Sequence, residues 1–409
     1  MDSVSKDTLR RIEQNDSELN IVCVGERPYA LGKFNSNTST DFSALGAAIA
    51  TNTRLTRFVF DIRDGIDDTG LYDGLKCNDS IDKLTLLCSN ITITSGVGYG
   101  ILSAYQETDR LTGMHISSAN LQGGGESVIG NMLRSCIKLT SLALPNCSIT
   151  DEQLLTLVSA IRDSSLIHLD LCANLISNVG CERIGTLLKD PNSKLQWLDP
   201  GNINNEGAAI IANNLANNTK LQKLYLDNPV VNEIDPSLVE DIYIELICNT
   251  SSVNGTHNSN HTLEVLDLGR VNQIHRVSHL QLNSLLELNE GTNKRHVAIK
   301  KILGNHPDID MEPLYKLDIE DESGQNLKAL PSVVAWFDKA REAVLDDGES
   351  SVSSDDSSDS DEEINYHVED RKLSAIYQFA LAMPLLFVPV SSHIKTEDKK
   401  RKRGGIHRP

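Results

Sequence analysis

A few groups of residues have types and spacing that could do chemistry. The run GGGESVIG at 123–130 is glycine-rich enough to let backbone amides approach a phosphate. A phosphate loop also needs Gly-Lys-Ser/Thr at its end, which this run does not have, so it reads as turn glycines ahead of a helix through Leu133. His257 and His261 are four apart, a spacing that could present two imidazoles to a metal. Their surroundings, NTSSVNGTHNSNHT at 249–262, read as a protruding polar loop with no further ligands. The eight cysteines are scattered and contain no C-x-x-C pair, so a zinc site is not expected. Cys147 falls at a turn position, and Cys136, Cys172 and Cys181 fall inside apolar patterns, as packed thiols do. No G-x-S-x-G, H-E-x-x-H or kinase motif set occurs. The expectation is a protein that is not an enzyme, takes no cofactor and has no small-molecule substrate.

The elements that carry these residues repeat. In LIHLDLCANLISNVGCERIGTLL (166–188), Leu169 and Leu171 sit two apart and share one face of a strand, which turns His168 and Asp170 to the other face. Ile184, Leu187 and Leu188 then form a helical stripe. Asn174 stands at the turn between them, where its side chain can bond backbone groups that no ladder reaches. The same strand signature opens at Leu55, Ile81, Leu111, Leu139, Leu195, Leu221 and Leu263, with Leu19, Val22 and Val24 as a first copy. From 55 to 221 the starts are 26 to 30 residues apart, which is the mark of a solenoid.

The pattern LxxLxLxx(N/C)xL, with a helix in each unit, resembles the leucine-rich repeat family over residues 17–300, and the period resembles its ribonuclease-inhibitor-like subclass. The resemblance implies an α/β horseshoe with parallel strands on the concave side and helices on the convex side, and the open end of such a solenoid needs a cover, for which a helical C-terminal cap is expected. The sequence departs from the pattern in places. Ala119 replaces the turn Asn or Cys in one unit. Pro200 replaces the third strand leucine in another, whose turn is two residues short, so the strand should fray there. The helix with WFDKAR and the later IYQFALAMPLLFVP resemble the C-terminal region of an uncharacterised group of leucine-rich repeat proteins from unicellular algae.

On a concave face, the outward strand positions are Ser141 and Ala143, His168 and Asp170, Trp197 and Asp199, Lys223 and Tyr225, and Val265 and Asp267. Trp197 and Tyr225 should be neighbours in a chain that is only 4% aromatic. Aromatic anchors beside charges are the composition of a binding hot spot. The candidate partner-binding residues are therefore Trp197, Tyr225, Lys223, Asp199, Asp170 and His168, set against the plainer reading of an aromatic that covers the strands. Asp170 and Asp199 also fit the common Leu-Asp-Leu wording of the resembled family.

The rest of the chain is organised differently. Residues 1–16 form an N-terminal segment, 17–300 the repeats and 301–345 a helical cap, with Val333, Val334, Phe337 and Ala340 as one stripe. LYKLDI (314–319) imitates a strand but lies off the period. Residues 346–363 are an acidic disordered loop with nine negative charges. In that loop Ser353, Ser358 and Ser360 each have an acid three positions on, as acidophilic kinases favour. Residues 364–390 are a hydrophobic cap helix and extended segment. Leu373–Val390 is near the length of a membrane span, but Gln378, Pro384 and Pro389 favour a docked cap. Residues 391–409 are a basic tail whose Lys399, Lys400, Arg401, Lys402 and Arg403 match an import signal.

Net charge is −19. Without the acidic loop and the tail the remainder is still about −15, too acidic for a general nucleic-acid groove. No apolar signal segment opens the chain, so an intracellular protein is expected, cytoplasmic or also nuclear, with reduced thiols and unused sequons at Asn249 and Asn254. Three functions stay open. The first is a monomeric scaffold that binds a protein partner of unknown identity on the concave face. The second is a GTPase regulator, since repeats followed by an acidic stretch resemble the Ran GTPase-activating proteins. The third is a nuclear acidic histone-binding chaperone.

Overall fold

The computed structural model describes residues 1–306 except 26–31, 37, 63–68, 107, 227–235 and 269–275. The chain divides into a unit Met1–His306 and a second unit Pro307–Pro409 that lies outside the described residues. In the first unit α1 (Ser3–Glu13) is followed by β1 (Ile21–Val24), β2 (Lys33–Phe34) and α2 (Ser39–Thr51). Strands and helices then alternate: β3 (Arg57–Ile62), α3 (Thr69–Cys77), β4 (Lys83–Cys88), α4 (Gly96–Gln106), β5 (Gly113–Ser117) and α5 (Gly125–Ser135). The alternation continues through β6 (Ser141–Ala143), α6 (Asp151–Arg162), β7 (His168–Asp170), α7 (Asn178–Lys189), β8 (Trp197–Asp199) and α8 (Asn205–Leu215). It ends with β9 (Lys223–Tyr225), α9 (Pro236–Ile247), the short α10 (Val253–His257), β10 (Val265–Asp267), α11 (Arg276–Asn289) and α12 (Lys294–Asn305).

Among the described residues the strands form one ten-stranded sheet, parallel throughout, in the order β10-β9-β8-β7-β6-β5-β4-β3-β1-β2. This is the α/β horseshoe that the repeat pattern implies. The middle strand residues Phe58, Leu84, Met114, Leu142, Leu169, Leu198 and Leu224 are lateral partners in one row, each at most 2% exposed. The strand-entry residues Leu55, Ile81, Leu111, Leu139, Leu166, Leu195, Leu221 and Leu263 are buried beneath them. A β-strand alternates its faces, so one row of leucines per repeat suffices to bury one face of the sheet under the helices.

Buried asparagines close the corners. Asn174 is 3% exposed; its Nδ2 donates to Leu144 O and Leu171 O at 2.8 and 2.7 Å, and its Oδ1 accepts from Cys147 N and Ile149 N at 2.9 and 3.0 Å. A second series lies at the opposite corner, where each helix returns to a strand, in the spacing N-x-x-(L/I). Asn52, Asn78, Asn218 and Asn260 each accept from the backbone N–H of the leucine or isoleucine three residues on. Each donates back to a carbonyl of the preceding repeat: Ile12 O, Ile49 O, Leu188 O and Leu215 O in turn. The amide thus supplies both a donor and an acceptor to backbone groups that are buried away from water.

Both ends of the described unit contain elements beyond the repeat pattern. At the first end, β2 adds a two-residue strand outside β1. The Ser5 hydroxyl donates to Asn35 O and accepts from Asn35 N, and the Thr8 hydroxyl donates to Lys33 O at 2.7 Å, so α1 covers that edge with side-chain bonds. At the other end the segment 249–262 corrects the expectation of a protruding loop. It contains α10, Thr256 and Asn260 are buried, and the Thr256 hydroxyl donates to Asn249 O at 2.7 Å. Helix α12 crosses position 300, where the repeats were expected to stop.

At Pro200 the ladder shortens as expected. Strand β8 pairs three residues with β7 but two with β9. Gly201 follows at φ +92, and a Cβ there would lie 2.5 Å from Leu171 O, so the shortened turn can run this close to its neighbour only with glycine.

Candidate functional site

The outward residues of β7, β8 and β9 meet on the concave face. The ladder register sets His168 opposite Trp197, Trp197 opposite Lys223, and Asp170 opposite Asp199. Tyr225 is a diagonal neighbour of Trp197, with ring centroids 4.9 Å apart and planes at 35°. The His168 ring lies 6.3 Å from Trp197 on the other side. His168 and Lys223 are exposed, and Trp197, Tyr225, Asp170 and Asp199 are half-buried. All six sequence-predicted binding residues therefore come together on three adjacent strands.

The two acids have a second task. Asp170 Oδ1 accepts from Cys172 N at 2.8 Å, and Asp199 Oδ1 accepts from Gly201 N at 2.9 Å. Each carboxylate pins the turn that leaves its own strand. Both residues are half-buried on the outward side of their strands, so their placement also serves the turn.

Sequence reasoning missed His115. It lies on β5 opposite Ala143, which in turn lies opposite Asp170, so His115 extends the same row across a small residue. Burial lowers its pKa, and the nearby Asp170 carboxylate opposes that shift. The signal was available, since Met114 and Ile116 face the core and leave His115 pointing outward. Farther along the same face, Cys23, Val59 and Leu87 form a small buried apolar cluster with Ile21 packed against it.

The other candidate chemistries do not assemble. Gly123 and Gly124 have positive φ values of 73 and 102, and Gly125 starts α5, which is a turn-to-helix junction. Among the described residues no group of three or more His, Cys, Asp or Glu could hold a metal ion. No disulfide joins the cysteines, and burial pushes the thiols of Cys88 and Cys181 up to about 12 and that of Cys147 to about 11, far from nucleophilic thiolates. No described helix is long and apolar enough to cross a membrane, and Leu373–Val390 lies outside the described residues. So do Ser353, Ser358 and Ser360 and the run Lys399, Lys400, Arg401, Lys402 and Arg403.

No protein-family model matches the chain. A curated relative, NACHT, LRR and PYD domains-containing protein 14 of Mus musculus, is 28% identical over 180 residues, which is 42% of this chain and 17% of that protein. The chain thus matches under a fifth of that relative's length. Among solved structures, the tropomodulin C-terminal domain of Caenorhabditis elegans is 13% identical and aligns with 46% of this chain and 90% of its own, at a TM-score of 0.27. An internalin of Listeria monocytogenes is 15% identical over 68% of this chain and 92% of its own, at a TM-score of 0.33. The architecture of this chain rests on its own repeat, strand order and register.

Proposed function

We propose that this chain is a non-enzymatic scaffold that binds a protein partner on its concave face, with Trp197 and Tyr225 as the anchor. One observation carries the reading: the two rings stack at 4.9 Å, half-buried, in a chain with few aromatics. A rigid aromatic pair offers large apolar area at low entropic cost. His168 and Lys223 flank it as polar rim groups, and Asp170 and Asp199 add negative charge between turns that hold them still. The repeat period supports the ribonuclease-inhibitor-like subclass.

The test is capture of a partner by wild-type chain and by Trp197→Ala from the same cell extract, with identification of each captured protein. The reading requires a protein retained by wild type and lost from the variant. Stimulated GTP hydrolysis by the captured partner, or histones among the captured proteins, would assign the scaffold to one of the two narrower functions.

A further inference from the structure

Helix α12 buries a lysine. Lys301 is 1% exposed, and its Nζ donates to Ile247 O at 2.7 Å and Asn260 O at 3.3 Å and lies 3.2 Å from His261 Nδ1. The first two partners follow the rule of the asparagine series. Asn78 Nδ2 bonds Ile49 O and Asn52 O, a helix end and the previous asparagine. Asn260 Nδ2 bonds Leu215 O and Asn218 O in the same way. Ile247 is the last residue of α9, so the Lys301 ammonium bonds that helix end, and it shares Asn260 O with the buried Asn289 amide, whose Nδ2 also lies 3.3 Å from that oxygen.

The third contact decides the chemistry. His261 Nε2 lies 3.0 Å from His257 O. A carbonyl only accepts, so Nε2 carries the hydrogen and Nδ1 presents a lone pair to Lys301. The three ammonium hydrogens then meet three acceptors. A second proton on His261 would have to sit on Nδ1, against the lysine N–H.

We propose that His261 and Lys301 form an acid-sensitive latch: protonation of His261 expels the ammonium from its rung and releases α12, with α10, from the end of the repeats. The charged neighbours reinforce this. Lys301 itself, His257 on α10 and Lys294 on α12 all oppose a proton arriving at His261. Lys294 is held by Glu264 Oε1 at 3.2 Å and Asn289 O at 2.5 Å. Cys248, beside the end of α9, accepts from Asn305 Nδ2 at 3.4 Å, and His306 Nε2 lies 2.7 Å from the Thr256 hydroxyl.

Burial, with these cations, lowers the His261 pKa from 6.5 to about 4. The docked state therefore refuses a proton that the released state accepts. The His261 contribution to docking is fully present above 6.5 and is lost as pH falls toward about 4. Lys301, lowered by burial to about 7, is protonated in both states through most of this window and adds little slope there.

Cys248 is buried beside α12 and Cys181 is buried on α7 in the middle of the repeats, so their thiols report release and global unfolding separately. The experiment labels full-length protein with dithiodipyridine, which reacts with thiols in acid, and reads each site by peptide mass spectrometry. Labelling of Cys248 relative to Cys181 should rise roughly tenfold per pH unit as pH falls below about 6.5. His261→Gln, which keeps a side-chain acceptor that does not titrate here, should give a flat ratio. A flat wild-type ratio, simultaneous exposure of both thiols, or an unchanged slope in His261→Gln would overturn the latch. If His261→Gln fails to fold, the wild-type ratio decides alone.

Discussion

Trp197 and Tyr225 stack diagonally across β8 and β9 with centroids 4.9 Å apart, although the register places Trp197 opposite Lys223. Diagonal pairs on one sheet face are within reach of large side chains. The stack therefore needs only the parallel register that the leucines already impose. Core residues and outward residues alternate along the same strands, so the proposed binding face and the fold can be perturbed separately.

The asparagine corners give the strongest folding prediction. Asn174→Ala removes two donations and two acceptances, leaving buried backbone groups of Leu144, Leu171, Cys147 and Ile149 without that partner. An orphaned buried group costs about 1–3 kcal/mol, so the variant should lose roughly 3–5 kcal/mol. Asn78→Ala should lose a similar amount by the same route. Asn131→Ala, on the exposed side of α5, should change stability by no more than about 0.5 kcal/mol. Urea unfolding of the three variants checks the ranking.

Stability against pH should peak on the alkaline side of neutral. Lys301 has a folded pKa lowered from 10.5 to about 7, so above 7 the unfolded chain binds a proton that the folded chain has released, and stability rises by about 1.4 kcal/mol per pH unit. Cys88, Cys147 and Cys181 have folded values raised from 9.0 to about 12, 11 and 12. Above 9 the unfolded chain loses those protons first, and stability falls. Urea midpoints from pH 6.5 to 10 should therefore pass through a maximum near about 8.5. In Lys301→Gln the rise between pH 7 and 8.5 should vanish.

How much of this was readable from the sequence varies with the residue. Leu166, Leu169 and Leu171 fix a strand and its facing by spacing alone, and the outward placement of His168, Trp197 and Tyr225 follows. The short strand at Lys33–Phe34 has no such pattern, because it is held by Ser5 and Thr8 from far along the chain. The N-x-x-(L/I) corners were present in the letters but look like ordinary turn asparagines. Thr256 and Asn260 look like loop residues because their composition is polar, yet their hydrogen bonds are satisfied internally. Lys301, in VAIKKIL, looks like part of a solvated helix face, and only the fold reveals the three acceptors waiting for it.

The acidic run 346–363 is the expected site of modification. Ser353, Ser358 and Ser360 should be phosphorylated in native protein, each phosphate adding about −1.5 to −2 charges. Intact-mass and peptide analysis should find phosphate between 346 and 363. Native peptide that is wholly unmodified would remove this expectation.

The basic tail should direct nuclear import. A fluorescently tagged chain should accumulate in nuclei, and replacing Lys399, Lys400, Arg401, Lys402 and Arg403 by alanine should abolish the accumulation. An even cytoplasmic distribution, unchanged by that replacement, is the contrary outcome.

On the proposed function, Trp197 anchors a partner rather than the core. An anchoring aromatic contributes at least ~2 kcal/mol to binding, roughly thirtyfold in Kd. Its stack on Tyr225 contributes about 0.5–1.5 kcal/mol to folding. The direct measurement is the Kd of the captured partner for wild type and Trp197→Ala, alongside the melting temperature of each. Binding should weaken thirtyfold or more, with a melting temperature lower by no more than a few degrees. Unchanged binding together with a sharp loss of stability would place Trp197 in the core and contradict the proposed anchor.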